Sequence, residues 1–178
     1  MLKNKAYKFR IYPNQKQMEL IEKTFGCTRF VFNYFLEQSI SMYKEEKKKM
    51  RYKDYASMLV ELKKEKEFLK EVDSISLQQS LRHLDAAYSN FFKNKETRFP
   101  KFKSKKNDKS YTTVTVNNNI KIEDKYIILP KLGKVKIKKH RLINQEEIIK
   151  SVVVSKVSNK YYVSLVVTYE AKEIVCSK

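Results

Sequence analysis

Lys5-Ala-Tyr-Lys-Phe-Arg-Ile-Tyr-Pro-Asn14 is the stretch on which the fold turns. From Lys5 to Tyr12 basic and apolar residues alternate, the pattern of a half-buried strand with Ala6 or Tyr7, Phe9 and Ile11 toward a core. Pro13 stops the strand, and Asn14 offers a side-chain oxygen to cap a helix. No second strand pattern appears until residue 111. The strand therefore has to wait for a distant partner, and whatever lies between is an insertion into a β domain.

Four helices are expected in that insertion. Met18, Ile21 and Phe25 recur at steps of three and four, and Gly26 reads as a left-handed cap closing the first helix. A second should run over 28–47 with Phe32, Leu36, Ile40 and Tyr43 on one stripe, and a third over 54–66 on Tyr55, Met58, Leu59 and Leu62. In the fourth, Asp73 or Ser74 caps a seam of Leu77, Leu81, Leu84, Tyr88 and Phe91. From residue 94 to 110 periodicity stops. Pro100, flanked by Phe99 and Phe102 and surrounded by cations, marks an exposed, kinked linker.

Beyond the linker the period is two. Strands are expected at 111–116, 120–123, 126–129, 134–138, 148–157 and 161–169, the last two joined by a short turn at Ser158-Asn159-Lys160. Several short strands at close spacing suggest a small barrel or sandwich. The fold class is thus α+β, a small β-barrel with a helical bundle inserted after its first strand. The expected division is 1–13 for the first strand, 14–95 for the helical insert, 96–110 for the basic linker, 111–170 for the rest of the β domain and 171–178 for a tail.

Charge then narrows the function. The 178 residues hold 39 Lys+Arg against 20 Asp+Glu, a formal net charge of +19. Such an excess suits a polyanion partner, since released counterions drive Lys/Arg association with phosphates. No apolar run is long enough to span a membrane, and no signal-peptide pattern is present, so a cytoplasmic, nucleoid-associated protein without a membrane partner is expected. Two cysteines and two histidines cannot close a four-ligand zinc site, and two glycines rule out a glycine-rich phosphate loop.

Catalytic groups are hard to find. Asp54 and Asp73 read as helix caps, Glu146-Glu147 as a solvated pair in a turn, His83 as a structural or surface residue, and Cys27 as a small buried filler. His140 sits in a basic run and is placed to touch phosphate. Binding features are stronger. Lys134-Val-Lys-Ile-Lys138 puts three lysines on one strand face and two aliphatics on the other, a phosphate track extended by Lys131, Lys139 and Arg141. The 99–106 linker mixes aromatics with cations, as stacking platforms do. Tyr52, Gln78 and Asn117-Asn118-Asn119 are polar groups able to read base edges, although the asparagines also suit a turn.

Lys5-Ala-Tyr-Lys-Phe-Arg-Ile-Tyr-Pro-Asn, Phe25-Gly-Cys-Thr-Arg-Phe-Val-Phe-Asn and Arg98-Phe-Pro-Lys-Phe-Lys-Ser-Lys-Lys resemble the N-terminal half of the TnpB (OrfB) family. So do Ser110-Tyr-Thr-Thr, Asn117-Asn-Asn and Leu129-Pro-Lys-Leu-Gly-Lys-Val. These are transposon-encoded RNA-guided DNA nucleases related to type V CRISPR effectors. The resemblance implies an OB-like "wedge" barrel carrying a helical recognition insert. It also implies a guide RNA and double-stranded DNA with a short target-adjacent motif as partners. Matching positions for reading the motif are Tyr52, Gln78, Thr115 and Asn117. At Ser74 and Val116 the side chains differ from some relatives, so the motif should differ. RNA contacts are expected at Lys3, Lys5, Arg10, Arg29, Arg98, Lys101, Lys103, Lys105, Lys106, Lys131, Lys134, Lys136, Lys138 and Lys139.

The family's RuvC-like nuclease, opening with Gly-x-Asp-x-Gly, and its Cys-rich zinc ribbon have no counterpart after Tyr169. No cofactor is expected in this chain, since magnesium and zinc would belong to that missing part. The expected function is nucleic-acid binding without cleavage. The alternatives are half of a nuclease completed in trans by a RuvC-like domain, and a nonspecific DNA-binding relic.

Overall fold

A computed structural model describes residues 1–170 apart from Lys95, Asp108 and Gln145. The expected tail at 171–178 lies outside the described residues. The chain forms two compact units, one of Met1–Met18 with the chain from Thr112 onward, the other of Glu19–Tyr111.

In the first unit, β1 (Leu2–Tyr12) is the central strand of a seven-stranded sheet curled into a half-barrel. The other strands are β2 (Ser110–Val114), β3 (Lys121–Glu123), β4 (Tyr126–Leu129), β5 (Gly133–Lys138), β6 (Ile148–Val157) and β7 (Lys160–Glu170), in the order β2-β6-β7-β1-β5-β4-β3. Both neighbours of β1 come from beyond the insertion. It pairs antiparallel with β7 from Leu2↔Glu170 to Ile11↔Tyr161, and with β5 from Arg10↔Lys138 to Tyr12↔Lys136. The first strand read from the sequence is thus locked in place by residues that follow the whole helical insert.

Alternation sets the faces. Tyr7, Phe9, Ile11, Val135, Ile137, Val163, Leu165 and Val167 are all buried on one side. Val163, Leu165 and Val167 leave no apolar stripe exposed there. The β6–β7 hairpin turns through Ser158 and Asn159 at φ 45° and 60°, two left-handed residues closing a two-residue loop between Val157 and Lys160.

The second unit is helical. Asn14 caps α1 (Gln15–Glu46) reciprocally: Gln17 N donates to Asn14 Oδ1 at 2.9 Å, and Asn14 N donates to Gln17 Oε1 at 3.0 Å. The expected break at Gly26 does not occur. α1 runs unbroken for 32 residues, and its buried stripe of Ile21, Phe25, Cys27, Val31, Phe32, Phe35 and Leu36 continues straight past the glycine. A helical glycine costs only about 1 kcal/mol relative to alanine, far less than burial of that stripe supplies. The left-handed cap sits instead at Lys47, with φ 56° and its N–H donating to Tyr43 O.

Gly26→Ala is therefore expected to stabilise the protein by about 0.5–1 kcal/mol in urea denaturation. A Cβ at that position would approach nothing closer than Arg29 Nη2 at 4.0 Å. Destabilisation would instead signal a left-handed Gly26.

α2 (Tyr52–Glu65) and α3 (Ser74–Lys93) complete the bundle, with a 3₁₀ turn at Glu67–Lys70 between them. Both aspartates expected as caps serve helix starts. Asp54 Oδ2 accepts from Arg51 N at 2.8 Å, and Asp73 Oδ1 from Ile75 N at 3.1 Å. Leu77, Leu81 and Leu84 of the α3 seam are wholly buried, against Val31, Phe35, Leu36, Tyr55 and Leu59 among others. Ser80 Oγ donates to Thr28 O at 2.7 Å, tying α3 to α1. The Tyr55 hydroxyl bonds Ser39 Oγ at 2.8 Å, and burial pushes its pKa up to about 12. Cys27 is the buried filler expected, its thiol pKa raised chiefly by burial.

Candidate nucleic-acid interface

Opposite its buried side, the sheet of the first unit carries cations and tyrosines in cross-strand rows. Lys134, Lys136 and Lys138 project there from β5, while Val135 and Ile137 between them are buried. Register supplies their neighbours. Lys138 lies opposite Arg10, which lies opposite Tyr162 on β7. Lys136 lies between Tyr12 of β1 and Tyr126 of β4.

The cations also sit on the rings: the Arg10 guanidinium is 4.9 Å from the Tyr12 centroid, and Lys8 Nζ is 5.0 Å from that of Tyr162. Tyr12 and Tyr126 are each 42% exposed, leaving ring area for a further partner to stack on. Arg10 Nε is buried with no acceptor among the described residues. Alternating lysines with half-exposed aromatics is the chemistry by which single-stranded nucleic acid is held, phosphates on the cations and bases on the rings.

Sequence reasoning found the lysines and Arg10 but missed Tyr12, Tyr126 and Tyr162. Lys134 is less free than expected, because Glu123 on β3 reaches its Nζ at 3.2 Å. Lys3 and Lys5 share the parity of Tyr7, so they lie on the other face of β1 from Arg10.

Lys5 is moreover engaged, its Nζ 3.6 Å from Glu147 Oε1 and 4.7 Å from the Tyr7 centroid. The Tyr7 hydroxyl and Glu147 together raise its pKa. Glu147 is not the solvated acid expected. Its side chain is 4% exposed and accepts from the Tyr7 hydroxyl at 2.8 and 3.0 Å, as well as from Asn144 N. Glu147→Ala leaves that buried phenol with only Leu142 O, at 3.5 Å, as an acceptor, and should cost about 1–3 kcal/mol. A urea midpoint shifted by less than about 0.5 kcal/mol equivalent would show the carboxylate to be dispensable.

Next to β5, an open groove of about 540 Å³ is lined by Asp124, Lys138, Lys139, His140 and Arg141 among others. His140, placed in this run as expected, packs edge-on against Phe9 at 5.2 Å. Lys131 lies in the β4–β5 turn at φ 66°. That hairpin is fastened to the first turn of α1 by Gln17 Nε2, which donates to Leu132 O at 3.1 Å and Lys134 O at 2.8 Å.

The residues expected to read a duplex motif divide between the units. In the first, Asn117 and Asn118 take left-handed φ of 49° and 59°, and Val116 N donates to Asn119 Oδ1. The turn thus accounts for the run of asparagines, and Asn117 is exposed on it. Thr115 N donates to Lys150 O at 3.0 Å, while its buried hydroxyl has no partner among the described residues.

In the second unit, the Arg82 guanidinium lies 4.0 Å over the Tyr52 ring, and Gln78 is exposed one turn before Arg82 on α3. Tyr52, Gln78 and Arg82 therefore form one polar surface, of which the sequence singled out the first two as motif readers and left Arg82 as an outward-facing polar position.

The basic linker belongs to this unit too. Arg98, Lys101, Lys105 and Lys106 are exposed. Lys103 is held: its N–H donates to Asn33 Oδ1 at 2.8 Å, Asn33 Nδ2 donates to Lys103 O at 2.9 Å, and its ammonium lies 4.4 Å over Phe32. Phe99 packs edge-on against Tyr88 and Phe91 and anchors the linker, whereas Phe102 is 57% exposed. Partial desolvation, with Lys103 nearby, lowers the pKa of His83. Arg29 lies half-buried on α1.

Among the described residues no group of three His, Cys, Asp or Glu side chains could hold a metal ion, so they do not fit a divalent-metal centre. No described helix is long and apolar enough to cross a membrane.

The helix-turn-helix domain of the OrfB type matches residues 1–48, which in this structure are β1 followed by one continuous helix. A putative RNA-guided DNA endonuclease of Streptomyces pristinaespiralis is 39% identical over 113 residues, 62% of this chain and 28% of that protein. The putative RNA-guided DNA endonuclease InsQ of Escherichia coli is 34% identical over 169 residues, 93% of this chain and 40% of InsQ. The virulence protein VsdF of Salmonella dublin is 38% identical over 111 residues, 57% of this chain and 93% of VsdF. The chain thus spans well under half the length of the two endonucleases. With nearly all of it aligned to InsQ and its opening residues matching the OrfB domain, the chain is similar to the N-terminal part of the transposon-associated OrfB (TnpB) proteins.

Proposed function

We propose that this chain is the nucleic-acid-gripping part of an RNA-guided DNA endonuclease, holding a guide RNA and a short target-adjacent DNA motif without cutting by itself. The observation that carries this reading is the sheet face on which Arg10, Lys136 and Lys138 alternate with Tyr12, Tyr126 and Tyr162. Such a face binds backbone and unstacked bases without reading a sequence, which suits a partner whose sequence is read by base pairing. Motif reading falls to Tyr52, Gln78, Thr115 and Asn117. Cleavage, with the metals it requires, belongs to a RuvC-like domain, in the same polypeptide or in trans.

Fluorescence anisotropy against salt tests this. A structured RNA from the protein's own locus should stay bound as salt rises from about 0.1 to 0.4 M, while random duplex DNA is released. Equal release of both would favour the nonspecific relic, and magnesium-dependent nicking of DNA by the chain alone would overturn the division of labour.

A further inference from the structure

We infer that a groove along α1 takes one unstacked nucleobase bearing an exocyclic amine, an inference that rests on the nucleic-acid reading above. The groove encloses about 500 Å³ between Arg29, Phe30, Tyr34 and Glu37 of α1 and Phe102 of the linker. Its walls are aromatic. Phe30 and Tyr34 stack on each other at 6.0 Å and 28°, and Phe102 is 57% exposed across from them.

An exposed phenylalanine on a loop is ordinarily adrift, but this one is not. The reciprocal Asn33–Lys103 hydrogen bonds fix the backbone next to it onto α1, and the Lys103 ammonium over Phe32 holds the residue that follows. Gly26 leaves the floor open, since a Cβ there would meet only Arg29 Nη2 at 4.0 Å.

The polar groups specify the ligand. Neither Arg29 nor Glu37 has a hydrogen-bond or ion-pair partner among the described residues, and two helical turns separate them. A carboxylate in a chain of net charge +19 repels phosphate at the very place where cations invite it. At a nucleic-acid surface its remaining use is to accept from a base amine, as carboxylates accept from cytosine N4. The base stacks on Phe102 and Tyr34, Glu37 accepts a hydrogen bond from its amine, and Arg29 neutralises the adjoining phosphate.

The test uses two fluorescein-labelled RNAs of about nine nucleotides, all uridine or with one central cytidine. Wild type should prefer the cytidine strand by about fivefold. Phe102→Ala should weaken both by about tenfold through lost stacking. Glu37→Met should abolish the preference without weakening the uridine strand, because it removes the acceptor together with its negative charge. Both side chains are exposed, and circular dichroism checks that each variant is folded.

Affinity within about twofold of wild type for Phe102→Ala, or a preference that survives Glu37→Met, overturns the groove while leaving nucleic-acid binding intact. Failure of the wild type to bind either strand, or any structured RNA, overturns the underlying reading and the groove with it.

Discussion

Replacing Lys136 and Lys138 together with glutamate should lower RNA affinity by well over tenfold at about 0.1 M salt and leave the unfolding transition unmoved. Both lysines are exposed, and the residues that hold β5 in the sheet, Val135 and Ile137, point the other way. Reversal therefore changes the charge of the face without touching its packing. The slope of log affinity against log salt should also flatten, by about one for each phosphate that the face no longer neutralises. Lys134 should contribute less, because Glu123 at 3.2 Å already neutralises part of its charge. An unchanged slope in the double variant would place RNA elsewhere.

The largest stability effect is expected at Leu81→Ala, about 2–5 kcal/mol in urea denaturation. Leu81 is wholly buried midway along the α3 seam, between Leu77 and Leu84, and its truncation leaves a cavity that the three helices cannot close. Phe91→Ala, farther along the same seam, should cost less despite the bigger side chain, since Phe91 is only half-buried. A cost at Phe91 equal to that at Leu81 would mean that its ring packing with Phe92 and Phe99 counts as core.

Signals that are local in the chain proved legible. The alternation of β1, the hairpin between β6 and β7, the seam of α3 and the caps at Asn14, Asp54 and Asp73 each depend on residues a few positions apart. Gly26 misled because a glycine is a local signal, whereas the stripe that carries α1 past it extends from Ile21 to Ser39. Glu147 misled for the opposite reason: its partners Tyr7 and Lys5 stand at the far end of the chain and meet it only in the folded sheet.

The same holds for the candidate interface. Lysines announce themselves by charge, but Tyr12 and Tyr126 become neighbours only through Lys136, by a cross-strand register that no periodicity encodes. The Arg82–Tyr52 contact likewise depends on how α3 meets α2. In each case the missing information is tertiary.

The most direct test of a guide-RNA grip is to express the chain together with its own genomic locus, purify it at moderate salt and sequence the nucleic acid that stays bound. One defined transcript from that locus is the predicted result. A random collection of RNA and DNA fragments would contradict it, leaving charge without recognition.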